Sequence, residues 1–197
     1  GVPLTWDTGN LLDASNMFTS CAAFNQQVEF SDVSALTTAY SMFAGCTLFN
    51  NGDIANVSSK PLVWDVAALQ STVYMLSACS AFNQPLTFTN TNNIISMAGM
   101  LSSSNLFKQD VSAWTITSCG YLNGFYSGDL NNPDSTANQD NYDALLLAWS
   151  AQPVQSGLTF DMGTTQYSTG AAAARAVLTG TRGWTINDGG MAPRTTL

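Results

Sequence analysis

Two residue series run through this chain in one irregular rhythm. Met17, Met42, Met75 and Met100 form the first, and Phe24, Phe49, Phe82 and Phe107 the second; both step by 25, 33 and 25 residues. The segments that carry them align without gaps: NMFTSCAAFNQ (16–26), SMFAGCTLFNN (41–51), YMLSACSAFNQ (74–84) and GMLSSSNLFKQ (99–109). Self-similarity at a period of this size marks a repeat array, in which each unit is one supersecondary element that cannot bury its apolar face alone. The longer middle step holds an eight-residue insertion, placed near Gly52 to Lys60.

A second element lies between these segments: VPLTWDT (2–8), QVEFSDV (27–33), KPLVWDV (60–66), PLTFTNT (85–91) and DVSAWTI (110–116). Each sets an aromatic residue (Trp6, Phe30, Trp64, Phe88, Trp114) two or three positions after an apolar one, in most units the period-two pattern of a short strand. Leu11, Ala14 and Met17 step by three, as do Leu36, Ala39 and Met42, which predicts a brief helical or irregular arc after each strand. An arc this short is not stable alone. The expected fold is therefore an α/β repeat solenoid of about five units over residues 1–130, with like side chains stacked in columns. Burying one Phe or Met contributes about 1.5–3 kcal/mol, so such columns would supply most of the stability.

The pattern M-[FL]-x-x-C-x-x-F-N-Q followed by W-D-[VT] resembles the BspA-like leucine-rich-repeat surface proteins, over about residues 3–126. The resemblance implies a leucine-rich-repeat-like solenoid of short parallel strands, a place on the outside of a cell or virion, and no enzymatic activity. Two departures occur in the fourth unit: Ser104 stands where Cys is expected and Lys108 where Asn is expected. The fifth unit is degraded to YLNGFYSGDLNN (121–132), as is usual beside a cap.

Residues 131–197 read as an α/β cap continuing the solenoid. Asn131 to Thr136 is a turn-rich break. Asn141 to Trp149 is expected to be a helix with Asp140 as its N-cap. GLTFDMG (157–163) reads as a strand, Ser168 to Leu178 as a second helix, and GWTINDGG (183–190) as a last strand and turn. Asp161 and Asp188 read as turn or capping residues. At the other end Leu4 and Trp6 have no comparable cover, which points to contact with another domain, a second subunit or further chain.

Composition narrows the chemistry. Charged residues make up 9% of the 197 residues, against about 25% in an ordinary domain, so the polar surface must be built from Asn, Ser, Thr and Gln. The net charge is −8, and the five basic residues form no cluster, which excludes phosphate-tracking nucleic-acid binding and attraction to anionic membranes. No apolar run approaches the roughly 20 residues of a membrane-spanning helix. The absence of histidine removes Ser-His-Asp and Cys-His catalysis and histidine zinc sites. No phosphate-cradling glycine loop occurs, no cofactor is expected, and no catalytic or metal-ligating set emerges. Asp110, Asp129 and Asp134 are spaced wrongly for an EF-hand loop, leaving only an irregular calcium site near 129–140 open.

Cys21, Cys46 and Cys79 share one repeat position and are read as small buried thiols filling the same niche, with Ser104 as their counterpart. Asn25, Asn50 and Asn83 follow the ladder Phe and are expected to bond backbone groups of the next unit. Asn56-Val57-Ser58 is a glycosylation sequon in the insertion, meaningful only in a eukaryotic secretory host.

The functional expectation is a non-enzymatic, extracellular or cell-surface module for adhesion, binding a protein or a glycan. The alternative is a structural subunit of a phage or virus particle working by self-association, a homo-oligomer formed through the N-terminal face. The expected contact residues are Leu4 and Trp6 at that face, Asp53, Asn56 and Lys60 in the insertion, and Asn131 and Asp134 in the break before the cap.

Overall fold

The computed structural model describes residues 3–127 and 135–192. Strands β1 (Leu4–Trp6), β2 (Val28–Phe30), β3 (Leu62–Asp65), β4 (Leu86–Thr89) and β5 (Leu122–Tyr126) are followed by helix α1 (Ser135–Ser150), strand β6 (Thr159–Met162), the short helix α2 (Ala172–Ala176) and strand β7 (Thr185–Asn187). Among the described residues every strand pair is parallel, and the sheets are small: β1-β2, β3-β4 and β5-β6-β7, with no closed barrel. The registers Leu4↔Val28 and Leu62↔Leu86 each join equivalent positions of neighbouring repeats.

The aromatic residues that define the repeat lie face to face. Phe24, Phe49, Phe82 and Phe107 stack at centroid spacings of 5.6, 5.7 and 6.0 Å. Trp6, Phe30, Trp64, Phe88 and Trp114 form a second stack at 5.7, 5.7, 5.4 and 5.5 Å. Offset stacking of this kind adds about 0.5–1.5 kcal/mol per pair beyond the apolar area it buries. Met42, Met75 and Met100 are fully buried between the stacks.

Of the two forms left open for the arcs, the irregular one is found: they are successive tight turns, with a 3-10 turn (Thr91–Asn93) after β4. Asn16, Ser41 and Tyr74, at one repeat position, have φ of 59°, 51° and 54°, and Gly99 and Gly124 continue the column at 63° and 65°. Ser20, Ala78 and Ser103 form a second left-handed column with Gly45. The reason lies in where the amides go. In a helix each N–H would bond the carbonyl four residues back. Here the N–H groups of Ala14, Asn16, Phe18 and Ser20 instead donate to the carbonyls of Thr38, Tyr40, Met42 and Ala44 in the next unit, at 2.7–3.0 Å. Ala39, Ser41, Phe43 and Gly45 repeat this toward Ser71, Val73, Met75 and Ser77, and Thr72, Tyr74, Leu76 and Ala78 toward Ser96, Ala98, Met100 and Ser102. A column of bridges, Asp13↔Thr38↔Ser71↔Ser96↔Tyr121, marks the same line.

Some expectations are corrected. Residues 110–116 form no strand, although Trp114 holds its place in the stack; the fifth strand is instead β5, in the segment that looked degraded. Tyr121, just before it, and its residues Asn123 and Phe125 accept the amides of Met97, Gly99 and Leu101, so β5 continues the arc line and turns it into the sheet edge used by β6. Helix α1 begins at Ser135, which places Asp140 inside the helix and not at its N-cap. The segment expected as one helix from Ser168 opens as a 3-10 turn (Thr169–Ala171), where the Ser168 hydroxyl accepts the Gly170 amide, and closes as a π-helical turn (Val177–Thr181).

Candidate functional site

The inserted loop is held by a dense set of side-chain hydrogen bonds. Asn50 and Asn51 open it, both buried. The Asn50 side chain accepts the Asn83 amide at 2.8 Å and Gln84 Nε2 at 2.9 Å, and its Nδ2 donates to the Asp53 carbonyl at 3.0 Å. The Asn51 amide stands between β2 and β3, accepting the Val28 N–H at 2.8 Å and donating to the Lys60 carbonyl at 2.9 Å. It takes the place of the main-chain pairing that the insertion interrupts, so β2 and β3 fall into separate sheets.

Asp53 is the centre of the loop. Its carboxylate accepts the backbone amides of Ala55, Val57 and Ser59 at 3.0, 3.0 and 3.3 Å, and Gln84 Nε2 at 3.0 Å. Burial alone raises its pKa, but the bonds from Gln84 and the three amides outweigh that and hold the carboxyl below its ordinary value. Asp53 was expected to touch a partner; it is buried and its oxygens are engaged within the loop, so it organises the site without lining it.

The groups this carboxylate holds outward are aliphatic. Ile54 is 93% exposed and Val57 67%, with the exposed Asn56 between them. The loop is also tied at its far end, where the Ser58 hydroxyl donates to the Asn83 carbonyl at 2.7 Å and the Lys60 amide to Gln84 Oε1 at 2.7 Å. Lys60 Nζ donates to Gln27 Oε1 at 2.5 Å and Gln27 Nε2 to Glu29 at 2.7 Å, across a groove of about 280 Å³ between β2 and β3 that Val63 and Trp64 also line. Lys60 is thus partly spent within the groove. The sequence singled out the loop by length and its polar residues; Ile54 and Val57 were missed, and the available signal was two large aliphatics inside an insertion otherwise made of Gly, Asp, Ala, Asn, Ser and Lys.

A family model described as "Mycoplasma protein of unknown function, DUF285" matches residues 4–114, more than half of the chain. The chain belongs to this family. No curated protein and no solved structure matches it. The DUF285 span contains the inserted loop and its partners Asn83 and Gln84, as well as Leu4 and Trp6.

The remaining expected contact residues are scattered. Leu4 and the 39% exposed Trp6 lie in the first unit, where Trp6 stacks on Phe18 and Phe30. Asn131 and Asp134 lie outside the described residues. Asp188 takes Arg175 Nε at 2.8 Å and the Tyr142 hydroxyl at 2.7 Å, and Asp161 takes the Gly124 amide and the Asn187 side chain; both act as staples. The Asn column behaves as the sequence suggested: Asn25, Asn50 and Asn83 each accept the amide of the equivalent residue in the next unit, at 2.7, 2.8 and 2.9 Å. All four cysteines are free thiols. Cys46 and Cys79 are buried and donate back to the Phe18 and Phe43 carbonyls at 2.9 and 3.0 Å, and Ser104 makes the same bond to Leu76. Cys21, expected to be buried like them, is exposed. A small cavity of about 40 Å³ between the repeats and α1 is lined by Tyr126 and Thr165, whose buried hydroxyls have no partner.

Proposed function

We propose that this DUF285 chain is a non-enzymatic surface module, a BspA-like, leucine-rich-repeat-like solenoid closed by an α/β cap after residue 130, and that its inserted loop grips a protein partner. The observation that carries this reading is the pairing of Asp53 with Ile54 and Val57. A buried carboxylate fixes three consecutive alternate amides, and the fixed backbone holds two large aliphatic side chains in water. Neither side chain belongs to the hydrophobic core of the described residues. Rigid apolar groups on a preorganised loop lose little entropy on binding and suit a partner's apolar pocket. The Gln27–Glu29–Lys60 row, which begins at the far end of the same loop, offers further polar groups. Aliphatic groups at the tip favour a protein over a glycan, which would call for an exposed ring or a polar comb. An extracellular or cell-surface position follows from the resemblance to surface repeat proteins.

The test compares fluorescently labelled wild type with Ile54→Ser/Val57→Ser on a panel of intact host cells. Binding should fall at least tenfold in the variant, about 1.4 kcal/mol, with an unchanged urea midpoint, and protease treatment of the cells should abolish it. Equal binding by the variant, or loss on periodate but not protease treatment, would overturn the reading.

A further inference from the structure

The outer side of the arcs carries one pair of rings that the core does not use. Tyr40 stands two positions before Met42 in the second unit, and Tyr74 one position before Met75 in the third. Their centroids lie 6.3 Å apart with the ring planes at 84°, edge to face. Tyr40 is 42% exposed and Tyr74 44%, whereas every other ring contact among the described residues includes a buried or half-buried ring. The equivalent places in the array hold Ser15 and Asn16, Ser41, Val73, and Ala98 and Gly99, so no other junction among these units sets two phenols side by side. The Tyr74 ring also has a fixed orientation. A Cβ at Gly99 would stand 2.2 Å from its Cε1 and 2.3 Å from its Cδ1, so that edge rests on the Gly99 backbone and the other ortho carbon, Cε2, lies on the side away from it. Of the remaining tyrosines, Tyr126 and Tyr142 are buried and Tyr167 is covered by Arg175; Tyr121 is 60% exposed but makes no ring contact among the described residues.

We propose that Tyr40 and Tyr74 form an oxidative crosslinking site, which a peroxidase acting with hydrogen peroxide closes into a dityrosine between the second and third units. The oxidant takes one electron and one proton from each phenol. The two phenoxyl radicals then join by a carbon–carbon bond between ortho positions, Cε2 on Tyr74 and a Cε on Tyr40. Each ring becomes aromatic again by passing the hydrogen of its coupled carbon to its oxygen. The chain loses two hydrogens in all, and one peroxide is reduced to two waters. Exposed side chains change rotamer in picoseconds to nanoseconds, so the two rings reach bonding contact far faster than two separate chains meet. Held proximity therefore directs the radicals to each other and away from partners in solution. The bond falls at the junction the insertion interrupts, where β2 and β3 belong to separate sheets. It encloses the whole inserted loop, 52–60, and ties together the two units from which that loop rises. The coupling does not depend on what the loop binds.

The test treats dilute, folded protein with a haem peroxidase and one equivalent of hydrogen peroxide. The product should be a monomer two hydrogens lighter that shows dityrosine fluorescence. Cleavage at acidic residues, which fall between the two tyrosines at Asp53 and Asp65, should release one crosslinked peptide pair carrying Tyr40 and Tyr74. Tyr40→Phe and Tyr74→Phe should each lower the dityrosine yield of the monomer at least tenfold, and Tyr121→Phe should leave it unchanged. The crosslinked monomer should unfold at a urea midpoint higher by roughly 1 M or more, because the closed loop restricts the unfolded chain. Four results would each overturn the proposal: no monomeric dityrosine under conditions that couple free tyrosine, a bond mapped to another pair, a yield that survives Tyr40→Phe, or a crosslinked monomer with an unshifted midpoint.

Discussion

Replacing Asn50 by Leu tests whether the side-chain amide column holds the units together. The two side chains are close in size, so the change removes hydrogen bonds with little change in volume. Four partners lose a contact: the Asn83 amide, Gln84 Nε2, the Asp53 carbonyl and Oδ1 of the exposed Asn56, which water can satisfy. Gln84 keeps its second acceptor, Asp53 Oδ2 at 3.0 Å, so two groups are orphaned in a site where Asn50 is 3% exposed. At about 1–3 kcal/mol for each buried unsatisfied group, the expected cost is about 2–6 kcal/mol. With a urea m-value of about 2 kcal/mol/M, the midpoint should drop by about 1–3 M at unchanged m. Asn25→Leu supplies the internal comparison. It removes the acceptor for the Asn50 and Gly52 amides, but Asn25 is only half-buried and water can replace it, so its cost should stay at about 1 kcal/mol or less. Urea titrations of both variants, followed by tryptophan fluorescence and circular dichroism together, give the two shifts. An Asn50→Leu midpoint no lower than that of Asn25→Leu would refute the claim that buried amides pin successive units.

Gly99→Ala adds a Cβ that would stand 2.2 Å from the Tyr74 ring, on a backbone at φ +63°; it should cost about 1–2 kcal/mol for the left-handed backbone alone, and Tyr74→Ala should recover only the part due to the clash, as measured by a urea double-mutant cycle. Alkali should also weaken the fold. Burial pushes the Cys46 thiol up from 9.0 to about 11 and the Tyr126 phenol from 10.0 to about 12, so the neutral forms are favoured by folding. The stability they contribute is complete below the unfolded values and lost as pH rises through 9 to 12. Tyr126→Phe should remove the phenol share of that slope while leaving the neutral-pH midpoint unchanged or slightly raised, since the hydroxyl has no partner.

The repeat was legible because its rungs are large apolar side chains at fixed spacing, and stacking is what such a pattern requires. The aromatic columns and the Asn column follow directly from it. The form of the arcs stayed open between helical and irregular because a step of three residues, as in Leu11, Ala14 and Met17, is shared by a helix and by successive tight turns. What separates them is whether each amide bonds its own segment or the next unit, and no single unit of sequence carries that information. The loss of strand 110–116 has a similar cause: Trp114 keeps its stacking partner without pairing its backbone. Asp53 could be found in an insertion but not assigned, since a loop carboxylate looks alike whether it faces a partner or gathers its own backbone amides. Ile54 and Val57 were passed over because apolar residues are expected inside, and only the fixed loop shows them turned out.

The Cys46, Cys79 and Ser104 bonds to the preceding unit have a consequence for where such a chain can work. Each rung is a single hydrogen given to a carbonyl, supplied by sulfur in two units and by oxygen in a third. No covalent crosslink holds the units, so nothing in the array must be oxidised to assemble or protected from reduction afterwards. The same stack would stand in the reducing interior of a cell and in air-exposed fluid outside it, and a thiol could be exchanged for a hydroxyl unit by unit as oxidative exposure demands.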